Sequence, residues 1–471
     1  MADGFNYLVV SDLHLRGGFH NPTEGLYHFD EEFADFLRYY RVHRASTRPW
    51  RLVIGGDLVE FLYITDLPST NEPLLRGATF RASEYRYGAG SDAQKSRWKL
   101  DIILRSSHPQ LLLALARFVA EGNEIIILRG NHDIELFWPE AQDHLRRLIA
   151  EHHPDDVSYM QMKAAVGERV QFPQWFWYTP GLLYVEHGSQ YDPFCATQHV
   201  LYPVVPSNSR SVQHSIAELS IRYFTNQVKV INALASENIM SVSEYLGWLL
   251  RSNRHMLPRL VRLYAAMVRR ILAKSGRPDP EAERMVREEH ERRMAAVDER
   301  FGLAAGTAAA VDAMHATPVM RRRLATISFL ALDLMAIGAL LAATAAVILT
   351  WYPARVGLLA FVTAAVALGL IGYLGSLRVR ALTGAAHLRQ TAERLAQLFK
   401  VRYVLFGHSH GAEIWPLSNG STYVNVGTWV PAGGEAYFVY FSVEHDGAEQ
   451  DARLWRWNRQ KRMPEPFQPQ H

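Results

Sequence analysis

The chain has 471 residues, 48% hydrophobic and 21% charged, enough to bury the core of two or three domains or of one enlarged domain with an insertion, and it is neither disordered nor fibrous. Fifty Lys and Arg against 47 Asp and Glu leave a formal charge of +3, which argues against a general nucleic-acid coat. The single cysteine, Cys195, excludes an internal disulfide and a thiolate-rich zinc site, whereas 20 histidines supply ample imidazole; a reducing compartment fits.

The amino terminus lacks the pattern of a secretory signal. Met1 to Tyr7 carries Asp3 and no Lys or Arg, and the apolar run Leu8 to Val10 stops at Ser11 and Asp12, so folded structure is expected to begin at once. From residue 1 to about 195, short apolar runs alternate with amphipathic stretches, as strands and helices of an α/β sheet do. Asp12-Leu13-His14 follows the run Tyr7 to Val10, and Gly55-Gly56-Asp57 follows Leu52 to Ile54. Gly130-Asn131-His132-Asp133 follows Ile125 to Leu128, and His187-Gly188 follows Leu182 to Val185. Arg16, His20, Arg81, Arg86, Lys95, Arg97 and Lys99 lie in loops and polar stretches near the first two motifs, where any could meet a phosphate, although most read as ordinary surface charge.

Residues 210 to 320 carry helical periodicity, as in Leu257, Leu260, Val261, Tyr264 and Val268, with Pro278 and Pro280 breaking one helix before Glu281 starts the next. From Arg251 to Arg323 there are 15 Arg and one Lys against nine Asp and Glu. Leu324 to Leu349 then has only Asp333 as a charge and Val356 to Leu377 has none; both exceed the ~20 residues that cross a hydrocarbon core. With Arg321 to Arg323 before the first run and Arg378 and Arg380 after the second, a two-span hairpin with both ends in the cytoplasm is expected; a buried helical hairpin is the alternative. Strand texture returns from about 400 to 457, where Gly407-His408-Ser409-His410 follows Val404 to Phe406.

Each motif thus sits just past a strand-like run and offers carboxylate, amide or imidazole ligands. Side chains at i and i+2 share a face of a strand, so Asp12 with His14, and His408 with His410, converge if strand geometry persists into the loop. The ordered set D-x-H, G-D, G-N-H-D, H and G-H-x-H resembles the signature of the calcineurin-like metallophosphoesterase superfamily over residues 1 to about 195 and 400 to about 445. That resemblance implies a dinuclear centre: Asp12, His14, Asp57 and His410 around one ion, Asp57, Asn131, His187 and His408 around the other, and Asp57 bridging. It leaves manganese, iron and zinc open, manganese first among them. Two such cations neutralise phosphoryl oxygens and acidify the water between them. His132 is expected outside the ligand set, stabilising charge or protonating the leaving oxygen, with Asp133 orienting its ring. Ser11 to Leu15 and Gly56 to Phe61 look like the branch containing the UDP-2,3-diacylglucosamine pyrophosphatases, which usually carry arginine where this chain has His132. Asn425 to Trp429 resembles the strand and turn after G-H-x-H, with Trp429 read as a packed side chain.

The resulting expectation is an α/β protein with a four-layer α/β/β/α core, as the resemblance implies. Residues 1–195 and 381–457 form the two parts of that core, 196–320 a helical insertion, 321–380 the transmembrane hairpin and 458–471 a C-terminal tail. The expected function is metal-dependent hydrolysis of a phosphoester or pyrophosphate in a lipid-linked or membrane-proximal substrate, at an inner or plasma membrane with the catalytic domain cytoplasmic. Membrane-anchored hydrolysis of a soluble nucleotide, cyclic nucleotide or phosphoprotein is the alternative, and an inactive membrane scaffold a second. No nucleic-acid partner is expected, because no basic patch interleaved with aromatics lies near the motifs. Nothing in the residues specifies an oligomeric state.

Overall fold

The computed structural model describes residues 4–17, 28–43, 47–65, 67, 73–228, 256–275, 279–329, 385–431, 437–446 and 449–467, with single residues and short stretches between 347 and 369. In chain order its strands are Asn6–Val10 (β1), Trp50–Ile54 (β2), Glu124–Ile127 (β3), Val170–Gln171 (β4), Trp177–Thr179 (β5), Leu183–Val185 (β6), Val204–Val205 (β7), Asn208–Val212 (β8), Tyr403–Phe406 (β9), Glu413–Pro416 (β10), Thr422–Asn425 (β11), Val439–Asp446 (β12), Glu449–Asn458 (β13) and Met463–Pro466 (β14).

β1, β2 and β3 are nearly continuous apolar runs, as parallel strands covered on both faces must be. They pair in parallel, Val9 opposite Val53 and Val53 opposite Ile126. The first sheet has the order β14-β13-β12-β1-β2-β3-β4, and the second β10-β11-β9-β6-β5. Because strand side chains alternate, Tyr7 and Val9 of β1 point one way and Leu8 and Val10 the other. Tyr7 and Val9 join Val53, Ile126, Leu183, Val185, Leu405, Val424 and Phe441 in a core between the two sheets. Leu8 and Val10 meet Phe33 and Phe36 of helix Asp30–Val42 and Leu112, Leu115 and Phe118 of helix Pro109–Ala120. The latter helix opens on proline, whose missing N–H costs nothing in the first turn, and buries one apolar stripe. On the far face of the second sheet, Tyr184, Val404 and Phe406 pack against Leu388, Leu395 and Phe399 of helix Ala385–Phe399.

Between the two halves of the core, helices Leu257–Lys274 and Pro280–Arg300 flank the proline break. The second docks on the core through Phe301, whose ring stacks on Phe176 at 5.3 Å. The ribbon of β7 and β8 was not foreseen, since Asn208-Ser209-Arg210-Ser211-Val212 lacks apolar alternation. Nor does the chain end in a plain tail: β14 pairs antiparallel with β13 at the sheet edge, where Pro464 and Pro466 are tolerated because an edge strand has ladder positions to spare.

The membrane hairpin has to be corrected. Most of residues 330–384 lie outside the described residues, and among the described residues no helix is long and apolar enough to cross a membrane. The hairpin part of the fold class and the membrane location drawn from it are therefore withdrawn.

Candidate metal centre

The C-terminal ends of β1, β2, β3, β6 and β9 meet at one edge of the two sheets. The loops after β1 and β2 interlock there: Asp12 N–H donates to Gly56 O (3.1 Å), His14 N–H to Asp57 O (2.8 Å) and Leu15 N–H to Leu58 O (2.9 Å). Strand geometry does not persist into these loops, contrary to the i, i+2 expectation. Asp12, His14, Asp57, His408 and His410 all adopt positive φ, between 48° and 66°. They are five of the eight non-glycine residues that do so among the described residues. Left-handed backbone is unfavourable for residues with a Cβ, and it clusters where surrounding structure must aim a side chain.

The side chains so aimed converge. Asp12 Oδ1 lies 3.2 Å from His410 Nε2 and 3.6 Å from His14 Nε2, and the two imidazole Nε2 atoms face each other at 2.9 Å. Asp57 Oδ2 lies 3.9 Å from His14 Nε2 on one side and 3.1 Å from His187 Nε2 on the other. His187 Nε2 is also 3.2 Å from Asn131 Oδ1. Asp57 thus stands between one donor set of Asp12, His14 and His410 and another of Asn131 and His187. His408 joins the second set less directly: its ring centroid is 5.4 Å from that of His187, and its Nε2 is 3.2 Å from Asp192 Oδ2.

Glycines make room for this packing. A Cβ on Gly130 would fall 2.1 Å from Asp57 Oδ1, and one on Gly407 would fall 2.1 Å from Ser11 Oγ and 2.2 Å from Asp12 Oδ2. Trp429 is fully buried, edge-on to Phe33 and Phe36, while its backbone N–H and the Thr428 hydroxyl both donate to Asp12 O. Its part is to fix the Asp12 backbone from within the core.

His132 stands beside the donors, its N–H donating to Asp57 Oδ1 (2.8 Å), but Asp133 does not orient its ring. Asp133 accepts from Gly130 N–H (2.6 Å) and Leu58 N–H (2.7 Å), tying the third motif's loop to the second's. The orienting carboxylate is Glu60, with Oε2 2.8 Å from His132 Nδ1 and Oε1 2.8 Å from His14 Nδ1. Glu60 follows Asp57 by three residues in a stretch with no ligand pattern, and only its burial beside two imidazoles reveals it.

Charge in the site is strongly coupled. Burial opposes ionisation of Asp57, yet His187, His132 and His14 hold it below the usual carboxylate range, and Glu60 is held low in the same way by His132 and His14. Burial likewise disfavours the charged imidazoles, but Glu60 and Asp57 raise His132 to about 9, and Asp57 and Asp12 raise His187 to about 9. Asp133 moves the other way, up to about 7, because it is buried and faces Asp57.

This donor chemistry fits divalent cations. Asp12 Oδ1 is buried without a hydrogen-bond partner despite two imidazole nitrogens within 3.6 Å, an arrangement costly for a lone carboxylate oxygen and natural for a ligand. Asp12, His14 and His410 form one compact potential ligand group, and Asp12, Asp57 and His187 another.

The other sequence candidates are less central. Arg16 is buried 3.7 Å from Glu60 and lies over the Tyr63 ring. Lys99 pairs with Glu135, and Lys95 with Glu84 and Asp92, while Arg81 and Arg86 are exposed and Arg97 half-buried. His20 lies outside the described residues. Cys195 is buried, with its N–H on Asp192 O. No family model matches the chain, and no curated protein matches it.

Proposed function

We propose that the chain is a dinuclear metal-dependent phosphohydrolase of the metallophosphoesterase type. The observation that carries this reading is the pair of donor sets on either side of Asp57, built by five separate strand-end loops with left-handed backbone at five donor residues. Asp12, His14, Asp57 and His410 would hold one divalent cation; Asp57, Asn131, His187 and His408 would hold the other. Bound there, such a pair supplies charge neutralisation of the phosphoryl oxygens and acidifies the attacking water.

The chain's own residues provide the rest. Glu60 holds the His132 ring through Nδ1, which leaves Nε2 as the atom that faces substrate. Glu60 and Asp57 favour the protonated imidazole of His132, which suits it to deliver a proton to the leaving oxygen. Asp133 keeps Gly130, and with it the Asn131 and His132 backbone, in register with the Asp57 loop. The substrate class is an anionic phosphoester or pyrophosphate. The expectation of a lipid-linked substrate rested on the hairpin and is not carried forward.

The test is a screen of the full chain, with Mn²⁺, Fe²⁺ or Zn²⁺ and with EDTA, against nitrophenyl phosphate, bis(nitrophenyl) phosphate and a nucleoside diphosphate sugar. Hydrolysis of at least one, abolished by EDTA, is expected. Inactivity on all three with metal bound would overturn the reading.

A further inference from the structure

We infer that Asp192 is a positioning residue for His408, selecting the ring nitrogen that His408 offers to a metal. The inference rests on the dinuclear reading above. His408 is a sequence-predicted ligand, yet its Nε2 is turned to Asp192 Oδ2 at 3.2 Å. A carboxylate at that distance accepts the Nε2 proton and so fixes the tautomer, leaving the Nδ1 lone pair as the ligand atom; carboxylate partners of this kind orient metal-bound imidazoles generally.

The backbone holds Asp192 for this task. Directly after His187, Gly188 turns the chain with φ 101° into the short helical turn Ser189–Tyr191, which ends at Asp192. Asp192 Oδ1 accepts from Phe194 N–H (2.9 Å), its N–H donates to Ser189 O (3.2 Å), and its carbonyl accepts from Cys195 and Ala196 N–H. Oδ2 faces His408, with the Cys195 thiol also beside the Asp192 carboxylate. His408 is fixed from the other side, its N–H donating to Asp12 Oδ2 (3.0 Å) at a φ of 66°. The segment that delivers His187 to the centre therefore also delivers, five residues later, the carboxylate behind His408. Asp192 and His408 also form a compact group with Cys195, so a separate metal site there is the competing assignment.

The experiment measures manganese stoichiometry and stepwise affinity for the full chain, Asp192→Ala, Asp192→Asn and Cys195→Ser, with circular dichroism to verify folding. Asp192→Ala should retain the first ion and bind the second on the order of 10 to 100 times more weakly. Asp192→Asn, whose amide oxygen still accepts from Nε2, should fall between it and the parent, and Cys195→Ser should match the parent. Unchanged second-ion affinity in folded Asp192→Ala, or equal weakening of both ions, would overturn the inference while leaving the dinuclear reading standing. Loss of an ion from Cys195→Ser would overturn it in favour of a separate Asp192, Cys195 and His408 site. A parent chain that binds no manganese would instead sink the dinuclear reading itself.

Discussion

Glu60 holds His14 and His132 at once, with one carboxylate oxygen 2.8 Å from each Nδ1. A proposed ligand and the group read as proton donor are thereby locked to one buried anion, and their rings meet edge-to-face at 4.9 Å. Glu60→Gln should lower kcat by about 10- to 100-fold, because an amide cannot serve both imidazoles as a charged acceptor. The pH profile gives the sign. His132 acts when protonated and its affinity for protons is raised by Glu60, so the alkaline loss of activity should begin at lower pH in Glu60→Gln than in the parent chain. An unshifted alkaline limb would remove Glu60 from this role.

Substituting His132 itself separates proton transfer from metal binding. His132→Ala should keep its metal content and lose more activity on alkyl phosphates than on nitrophenyl phosphates, since a good leaving group departs without a proton. Equal losses on both ester types would leave His132 only a charge-stabilising part.

Gly130 tests how tightly the loops are packed. A methyl group there would fall 2.1 Å from Asp57 Oδ1, so the carboxylate between the two donor sets must move by about an ångström. Gly130→Ala should cost on the order of 100-fold in turnover and should lower metal affinity, with folding intact by circular dichroism. Near-parental kinetics would mean that Asp57 tolerates displacement.

Much of this candidate centre was legible because its metal-donor side chains, two pairs and three single residues, stand directly after apolar runs. Asp12 after β1 and Asp57 after β2 are visible from pattern alone. Their convergence was legible, but the means was not: periodicity predicts strand geometry through His14 and His410, whereas the backbone turns left-handed at both. Glu60 and Asp192 escaped because a carboxylate acting through an imidazole needs no particular spacing from it; Glu60 lies 46 residues from His14 and Asp192 lies 216 from His408. The hairpin was read from apolar composition, which reports a capacity for burial, and among the described residues no helix is long and apolar enough to cross a membrane. β14 was missed because Met463-Pro464-Glu465-Pro466 has neither alternation nor strand-forming residues, and its pairing is imposed by β13.

Glu218, at the start of helix Ile216–Tyr223, adds a pH-dependent contribution to stability outside the metal-donor sets. Burial raises its carboxyl to about 8 from the ordinary 4.5, although the Ser215 N–H bond and His132 oppose the shift. The folded chain therefore holds a proton that the unfolded chain releases above 4.5, so this contribution falls as pH rises from about 4.5 to 8. Glu218→Gln, which keeps the acceptor for Ser215 N–H, should gain stability relative to the parent at pH 8 compared with pH 5 in urea unfolding. A difference independent of pH would contradict the assignment.

The most direct test is metal stoichiometry at Asp57. After reconstitution with manganese and removal of free ion, elemental analysis of the full chain should give about two ions per chain. Asp57→Asn should retain less than one ion, with hydrolysis nearly abolished. Two ions retained by Asp57→Asn with turnover unchanged would contradict a shared carboxylate between two cations.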